Sequence, residues 1–469
     1  MEDLFMFSFT FSPQGDTPLY RQLYETLRRE IRQGGLSGGE RLPSKRALSA
    51  HLGLSLNTVD AAYQMLVAEG YVVSQPRRGM FVCPQGARDL VPPPEGPGQP
   101  PPDAPPRPRW LYEFSTNSID VSLFPDRTWA RISRDVLRDA PRLLNHGDPQ
   151  GDECLRAAVA QYLHEYRGVR CRPAQVVIGA GTEYLLNLAV RLLGDGVRVA
   201  IEDPGYIKTR HVLLGNGISA EGVAVDTQGM DPDRLAAARC TAAYITPSHQ
   251  FPTGVTMPAP RREALLRWAQ ETGGFLLEDD YDSEFRFDGR PLPALQGLDD
   301  NGRVIYIGTF SKSLAPSIRV AYLVLPDRLL EGWRDRFGAY SSTVPRLEQH
   351  TLSRFMAGGH FARHINRIRS AYRSRRDALV AALRQELGGL AIPQCVHTGL
   401  HMPVAIANGM DEGMLKSSAA AQGVRVSTLG DYRLQTPPGP PTVILGYGGL
   451  TADDIERAVV LLGRAWRRK

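Results

Sequence analysis

The sequence predicts a two-part protein, a small α+β module followed by a large α/β domain built on a mainly parallel sheet. Three observations carry that expectation. From Val176 onward, apolar runs of strand length alternate with helical patterns. Residues 1–83 hold three amphipathic helical stretches and a basic hairpin. A proline-dense stretch, residues 84–109, lies between the two, leaving residues 110–469 to the large domain.

The 469 residues exceed one ordinary domain, and 42% apolar with 22% charged residues is a globular balance. No unbroken apolar run reaches membrane-spanning length. The start, MEDLFMFSFTF, carries acids where a signal peptide is basic, so the expectation is a cytoplasmic protein without membrane contact. The five cysteines (Cys83, Cys154, Cys171, Cys240, Cys395) are scattered and show no zinc spacing, which points to reduced thiols and no metal. A net charge of +5 is too mild over this length to argue for nucleic acid by itself.

Leu19, Leu23, Leu27 and Ile31 recur every four residues, and Gly34-Gly35 ends that helix. Ser44 is placed to cap a second helix that turns Leu48 and Leu52 inward. Gly53-Leu54 makes a tight turn, and Ser55 caps a third helix with the core stripe Val59, Ala62, Met65 and Leu66. Gly70 stops it, and Tyr71–Ser74 and Met80–Val82 flank the basic tip Gln-Pro-Arg-Arg-Gly. Helix, tight turn, helix and basic hairpin is the layout of a winged helix-turn-helix, which enters the major groove with its second motif helix. Binding to protein is the blander alternative.

The stretch RLPSKRALSAHLGLSLNTVDAAYQMLVAEGYVVSQPRRGMFV resembles the DNA-binding module of GntR-type bacterial regulators. The resemblance implies phosphate contacts from Arg41, Ser44 and Lys45, groove contacts from Ser55, Asn57 and Thr58, and a wing tip at Arg77, Arg78 and Gly79. Relatives usually carry arginine after the serine that opens the recognition helix; here that residue is Leu56, so a bidentate guanine reader is missing. Residues 1–90 hold ten Lys/Arg against nine Asp/Glu, so any basic face comes from the placement of Lys45, Arg46, Arg77 and Arg78.

Val91 to Trp110 contains ten prolines, which favours extended polyproline II of roughly 60 Å, either a passive spacer or a reach to a neighbouring subunit.

In the large domain the expected strands are Val176–Ile178, Arg198–Ile201, Ala242–Ile245, Phe275–Leu277, Val304–Ile307 and Ala321–Leu325, with helices at Glu183–Leu193 and Arg261–Thr272. Sites in such sheets gather at strand ends. Lys312 lies between two apolar runs, near Thr309, Ser311 and Arg319. An amine there suits an aldehyde cofactor that also carries a phosphate, with the hydroxyls and arginine on the phosphate; the bland reading is a surface lysine. Gly179-Ala-Gly-Thr182 opens a helix, a weak phosphate signal. Glu278-Asp-Asp-Tyr-Asp282 puts four acids in five residues at a strand end, either a solvated loop or a partner for a protonated ring nitrogen.

In this order, and ending at Lys312, these pieces resemble fold-type I aminotransferases over roughly residues 112 to 460. TPSHQFPTG, EDDYDSEF and the Lys312–Arg319 segment are similar to MocR/GabR-type regulators, which join a GntR-type winged helix to an aminotransferase-like domain. The resemblance implies pyridoxal 5'-phosphate held as a Schiff base on Lys312. Asp279 would meet the ring nitrogen and Tyr281 the ring oxygen. Gly181, Thr182, Thr309, Ser311 and Arg319 would hold the phosphate, and Tyr206 would sit at the ring edge or reach the phosphate. Two departures stand out. Phe251 replaces the asparagine before Pro-Thr-Gly, and His249 would take over part of its environment. Ile444 stands where a carboxylate-binding arginine is usual, with Lys208 or Arg425 as substitutes.

The segment His360–Arg376 is strongly basic, a solvated or ion-paired helix or a supplementary DNA contact. The resulting expectation is a homodimeric, cytoplasmic, pyridoxal-phosphate-dependent transcriptional regulator. It would bind operator DNA and sense an amine, an amino acid or the cofactor itself, with at most partial transamination. An active aminotransferase with an accessory DNA module is the alternative.

Overall fold

The computed structural model describes residues 17–84, 109–289 and 292–467. The chain divides into two compact units, Met1–Arg107 and Pro108–Lys469. The stretch expected as an extended linker lies, apart from its two end residues, outside the described residues.

In the first unit, α1 (Leu19–Gln33), α2 (Lys45–Leu52) and α3 (Leu56–Ala68) precede an antiparallel hairpin of β1 (Val72–Gln75) and β2 (Gly79–Val82). The caps are those the serines call for: Ser44 accepts the Ala47 N–H at 3.2 Å, and Ser55 accepts the Thr58 N–H at 3.1 Å. Gly53 closes α2 at φ 66°, a left-handed turn that costs glycine nothing and sets α3 across α2. Leu23, Leu27, Ile31, Leu48, Val59, Ala62, Tyr63, Leu66 and Val82 form one buried core.

The second unit is built on an eight-stranded sheet. Its order is Val176–Gly179, Ala321–Val324, Val304–Thr309, Phe275–Asp280, Ala242–Ile245, Arg198–Asp203, Ser219–Asp226 and Gly229–Met230. The four central pairings, from Val304–Thr309 through Ser219–Asp226, are parallel. Ala321–Val324 runs antiparallel to both neighbours. Residues 310–320, which lead into it, contain one 3-10 turn and no α-helix, too little for a parallel crossover. Ser219–Asp226 was not anticipated; its alternation is half polar because only Val223 is fully buried. Apolar clusters cover both faces of the sheet, so the central strands read as continuous apolar runs.

A second, antiparallel sheet follows, in the order Ala391–Pro393, His401–Ile406, Thr442–Gly446 and Ser427–Thr428. It packs with the helices His360–Leu387 and Ala452–Trp466 in the largest apolar cluster.

The arginines of the basic helix His360–Leu387 are bonded mainly within their own domain, as the solvated or ion-paired alternative expects. They hold carbonyls: Arg363 on Gly358, Arg367 on Leu123, Arg369 on Glu284, Arg373 on Phe287 and Arg376 on Val396. Arg375 is buried and bonds the Gly448 carbonyl and the Asp120 carboxylate. Among the described residues no helix is long and apolar enough to cross a membrane.

Trp466 is fully buried at the end of the last helix, and its indole N–H reaches the Leu415 carbonyl at 3.1 Å. Trp466→Ala should destabilise the large unit by about 3–5 kcal/mol, read as a lowered urea midpoint in the full chain.

Candidate DNA face and cofactor cleft

On the small unit, Arg41 bridges to Phe81 of the hairpin, and its side chain lies over Gly79. Gly79 sits at φ 117°, and an added Cβ would come within 3.1 Å of Arg41 Nε. Arg77 adopts φ 63° at the hairpin tip, and the Arg78 guanidinium stands 5.8 Å from the Phe81 ring centroid. The structure thus brings Arg41, Arg77, Arg78 and Gly79 together at one edge. Other expected contacts are engaged locally. Ser44 and Ser55 serve as caps, and the Ser55 and Thr58 hydroxyls share a 2.7 Å hydrogen bond. Lys45 is ion-paired with Asp60 of α3. Asn57 remains exposed on the first turn of α3.

On the large unit, the parallel strands end at one cleft whose empty space, open mouth included, is about 860 Å³. Thr182, Tyr206, Asp279, Tyr281, Thr309, Ser311, Lys312 and Arg319 line it. Thr116, Asn117, Glu183, Lys208, Thr246, Phe251 and Pro316 also line it, of which only Lys208 and Phe251 had been considered from sequence.

At one end lies an anion cradle. Gly181 caps the helix Thr182–Leu192 at φ 97°, and a Cβ there would fall 2.3 Å from Arg319 Nη2. Only glycine admits the guanidinium at this helix N-terminus. Arg319 is itself left-handed at φ 56° and donates to the Ala180 carbonyl at 2.9 Å. Thr309 and Ser311 are linked at 2.9 Å beside it. Glu183 stands between Lys208 at 3.4 Å and Arg319 at 3.6 Å. Burial works to raise its carboxyl, but its own backbone N–H, Lys208 and Arg319 together hold it below the ordinary value.

At the other end lies Asp279. Tyr244 donates to one of its oxygens, and the other, Oδ1, is buried with no hydrogen-bond partner among the described residues. Burial raises this carboxyl to about 7. Lys312 is half-buried, and its Nζ donates to the Thr116 carbonyl at 2.6 Å. Burial lowers its amine to about 8, with Asp282 opposing the shift and Lys208 adding to it. A sizeable neutral fraction near neutral pH makes such an amine a carbonyl nucleophile.

His249 does not line the cleft, which corrects its expected place. It lies behind Tyr281, whose hydroxyl donates to the His249 carbonyl at 3.0 Å and stands 3.1 Å from His249 Nδ1. Nδ1 in turn faces Asp282 Oδ2 at 2.9 Å. Phe251 offers only ring edges, against Tyr206 at 5.6 Å and Tyr432 at 4.9 Å between centroids. Ile444 is buried within the antiparallel sheet, and Arg425 pairs with Glu113 at 2.9 Å. Of the two proposed substitutes for the missing arginine, only Lys208 lines the cleft.

A fold of parallel strands with an amine, a carboxylate and an anion cradle at one strand-end cleft defines the aminotransferase class. The family model "Aminotransferase class I and II" matches residues 112–399, and "Bacterial regulatory proteins, gntR family" matches residues 19–82. An uncharacterised HTH-type transcriptional regulator of Bacillus subtilis, YhdI, is 39% identical over 457 residues, 96% of each chain. The probable rhizopine catabolism regulatory protein MocR of Rhizobium meliloti is 34% identical, covering 96% of this chain and 94% of its own. Among solved structures, an archaeal alanine:glyoxylate aminotransferase aligns with TM-score 0.70 and 26% identity, covering 76% of this chain and 90% of that one. The chain belongs to the MocR-type transcriptional regulators, in which a GntR-family helix-turn-helix domain precedes a class I/II aminotransferase-like domain.

The aminotransferase fold family is pyridoxal-phosphate-dependent, and this cleft fits that group. The unpartnered Asp279 Oδ1 matches a protonated ring nitrogen, and the Gly181–Arg319 approach matches a phosphate.

Asp279 also sets a pH test. Its folded value of about 7 lies above its ordinary 3.8, so the stability it contributes is full below about pH 4 and is lost as pH rises to about 7. Asp279→Asn, without added cofactor, should flatten the fall of the urea midpoint between about pH 4 and pH 8; an unchanged slope would mean that Asp279 is not buried unpaired.

Proposed function

We propose that this regulator holds pyridoxal 5'-phosphate in the cleft and controls operator DNA binding through what occupies Lys312. The observation that carries the reading is a half-buried lysine and a buried, half-unpartnered carboxylate facing one cleft with an arginine-lined helix N-terminus. Lys312 would hold the cofactor covalently, Asp279 its ring nitrogen and Tyr281 its ring oxygen. Arg319, Thr182, Thr309, Ser311 and the backbone at Gly181 would hold its phosphate. When bound, this cofactor supplies an aldehyde that condenses with primary amines.

An amine or amino acid that displaces Lys312, or the cofactor's own arrival, would be the signal. Lys312 Nζ donates to the Thr116 carbonyl, close to the point where the chain enters the domain. Occupying that amine removes the bond, giving the cleft differential contacts in two states, as a switch requires. The reading includes a cytoplasmic homodimer whose two winged helices read two half-sites. Sustained transamination finds less support. Of the lining cations Lys208, Lys312 and Arg319, two are assigned to the cofactor, and Lys208 already faces Glu183.

Two measurements test this. The full chain mixed with pyridoxal 5'-phosphate and desalted should retain a protein-bound visible absorption band, and Lys312→Ala should lose it while keeping its circular dichroism; a band retained in Lys312→Ala overturns the assignment. Arg77→Ala with Arg78→Ala should weaken operator binding and reduce its salt slope by about one to two. An unchanged slope removes the hairpin tip from the DNA face.

A further inference from the structure

We propose that Leu56 is a base-reading residue that packs on the 5-methyl group of thymine, so that each half-site carries a T·A pair under the tip of α3. The inference rests on the DNA-binding reading above and adds the chemistry of its specificity.

Leu56 is the first residue of α3, and its side chain is 45% exposed, more than any other large apolar side chain described in this unit. The buried stripe of the helix, Val59, Ala62, Tyr63 and Leu66, begins one turn later, so core packing does not account for Leu56. Its polar neighbours are already engaged. Ser55 caps the helix and shares a hydrogen bond with Thr58. Asp60, one turn on, is paired with Lys45, which removes a negative charge that would face phosphate. The tip therefore presents one apolar side chain, Leu56, and one free amide, Asn57. Exposed cations Arg41, Arg46 and Arg77 lie on the same small unit, the sign that suits a polyanion.

In the major groove thymine alone offers an apolar group, while guanine, adenine and cytosine offer only hydrogen-bonding atoms. Leu56 against guanine would desolvate N7 and O6 without replacing their hydrogen bonds, which disfavours G·C there. Leu56 against thymine buries a methyl group and its own exposed surface. The adjacent Asn57 amide is the side chain that pairs with adenine N6 and N7.

The test uses the full-length chain and duplexes selected by it from a random DNA pool, with each thymine of the selected site replaced in turn by deoxyuridine. At one thymine per half-site the loss of the methyl should weaken binding roughly fourfold, the factor for one buried methyl group. Leu56→Ala should bind thymine and deoxyuridine duplexes equally, with its salt slope unchanged, and Leu56→Arg should shift selection at that position toward guanine. The proposal is overturned if no thymine is sensitive to deoxyuridine, or if Leu56→Ala keeps the parent's sensitivity. If the full chain selects no duplex and binds none in a salt-dependent way, the DNA-binding reading itself has failed and this one falls with it.

Discussion

Four carboxyls are buried within five residues at the end of one central strand, and much of the large domain is arranged to tolerate them. Each is satisfied differently. Glu278 accepts the backbone N–H groups of Leu295 and Gln296 at 2.7 and 2.8 Å. Asp280 faces the buried guanidinium of Arg167 at 2.7 Å and the Tyr306 hydroxyl. Asp282 faces His249, and Asp279 has Tyr244 on one side only. Breaking a buried pair such as Arg167–Asp280 costs about 3–5 kcal/mol, because it leaves a charge without water or partner. Arg167 also donates to Ser248 and to the Leu292 carbonyl, so the strand-end loops are tied to the same charge.

That constraint sorts the acids by role. Glu278 and Asp282 have partners for both oxygens, whereas Asp279 and Asp280 each keep one buried oxygen without a hydrogen-bond partner among the described residues. A buried polar atom left without a partner is destabilising, and of these two acids only Asp279 lines the cleft. Tyr281 differs: its hydroxyl is already engaged by His249, which in turn faces Asp282. Phe251 packs edge-to-face with Tyr432.

The parts of the site legible in the sequence were those where chemistry contradicts packing. Lys312, Asp279 and Arg319 stand beside apolar runs where a lone charge needs a reason. Their partners were not legible, because they come from distant segments or resemble ordinary core residues. Thr116 contributes a carbonyl, which any residue carries. Tyr244 sits in a strand where an aromatic is unremarkable until its hydroxyl is seen on Asp279. Arg167 ends a helix, where a basic residue is expected at the dipole, and only the fold carries it to Asp280. The central strands were legible from their apolar runs, but the antiparallel sheet was not. Its strands span as few as two residues at Ser427–Thr428, and their pairing depends on long-range register. The arginine helix stayed ambiguous for a related reason: charge density does not reveal whether guanidinium groups face solvent or the carbonyls of neighbouring loops.

Lys312 joins these strands of argument. Its amine is lowered by burial, is opposed by Asp282, and has its one described hydrogen bond to the backbone at Thr116. Thr116 follows Tyr112–Glu113, which pairs with Val424–Arg425, so the entry segment is held by a short parallel ladder and by the lysine. A two-residue ladder is weak alone. The buried Phe114 and its backbone bonds to Arg425 and Gly446 hold the same segment, and the lysine adds to them. Lys312 therefore ties the cleft to the segment that opens the second unit.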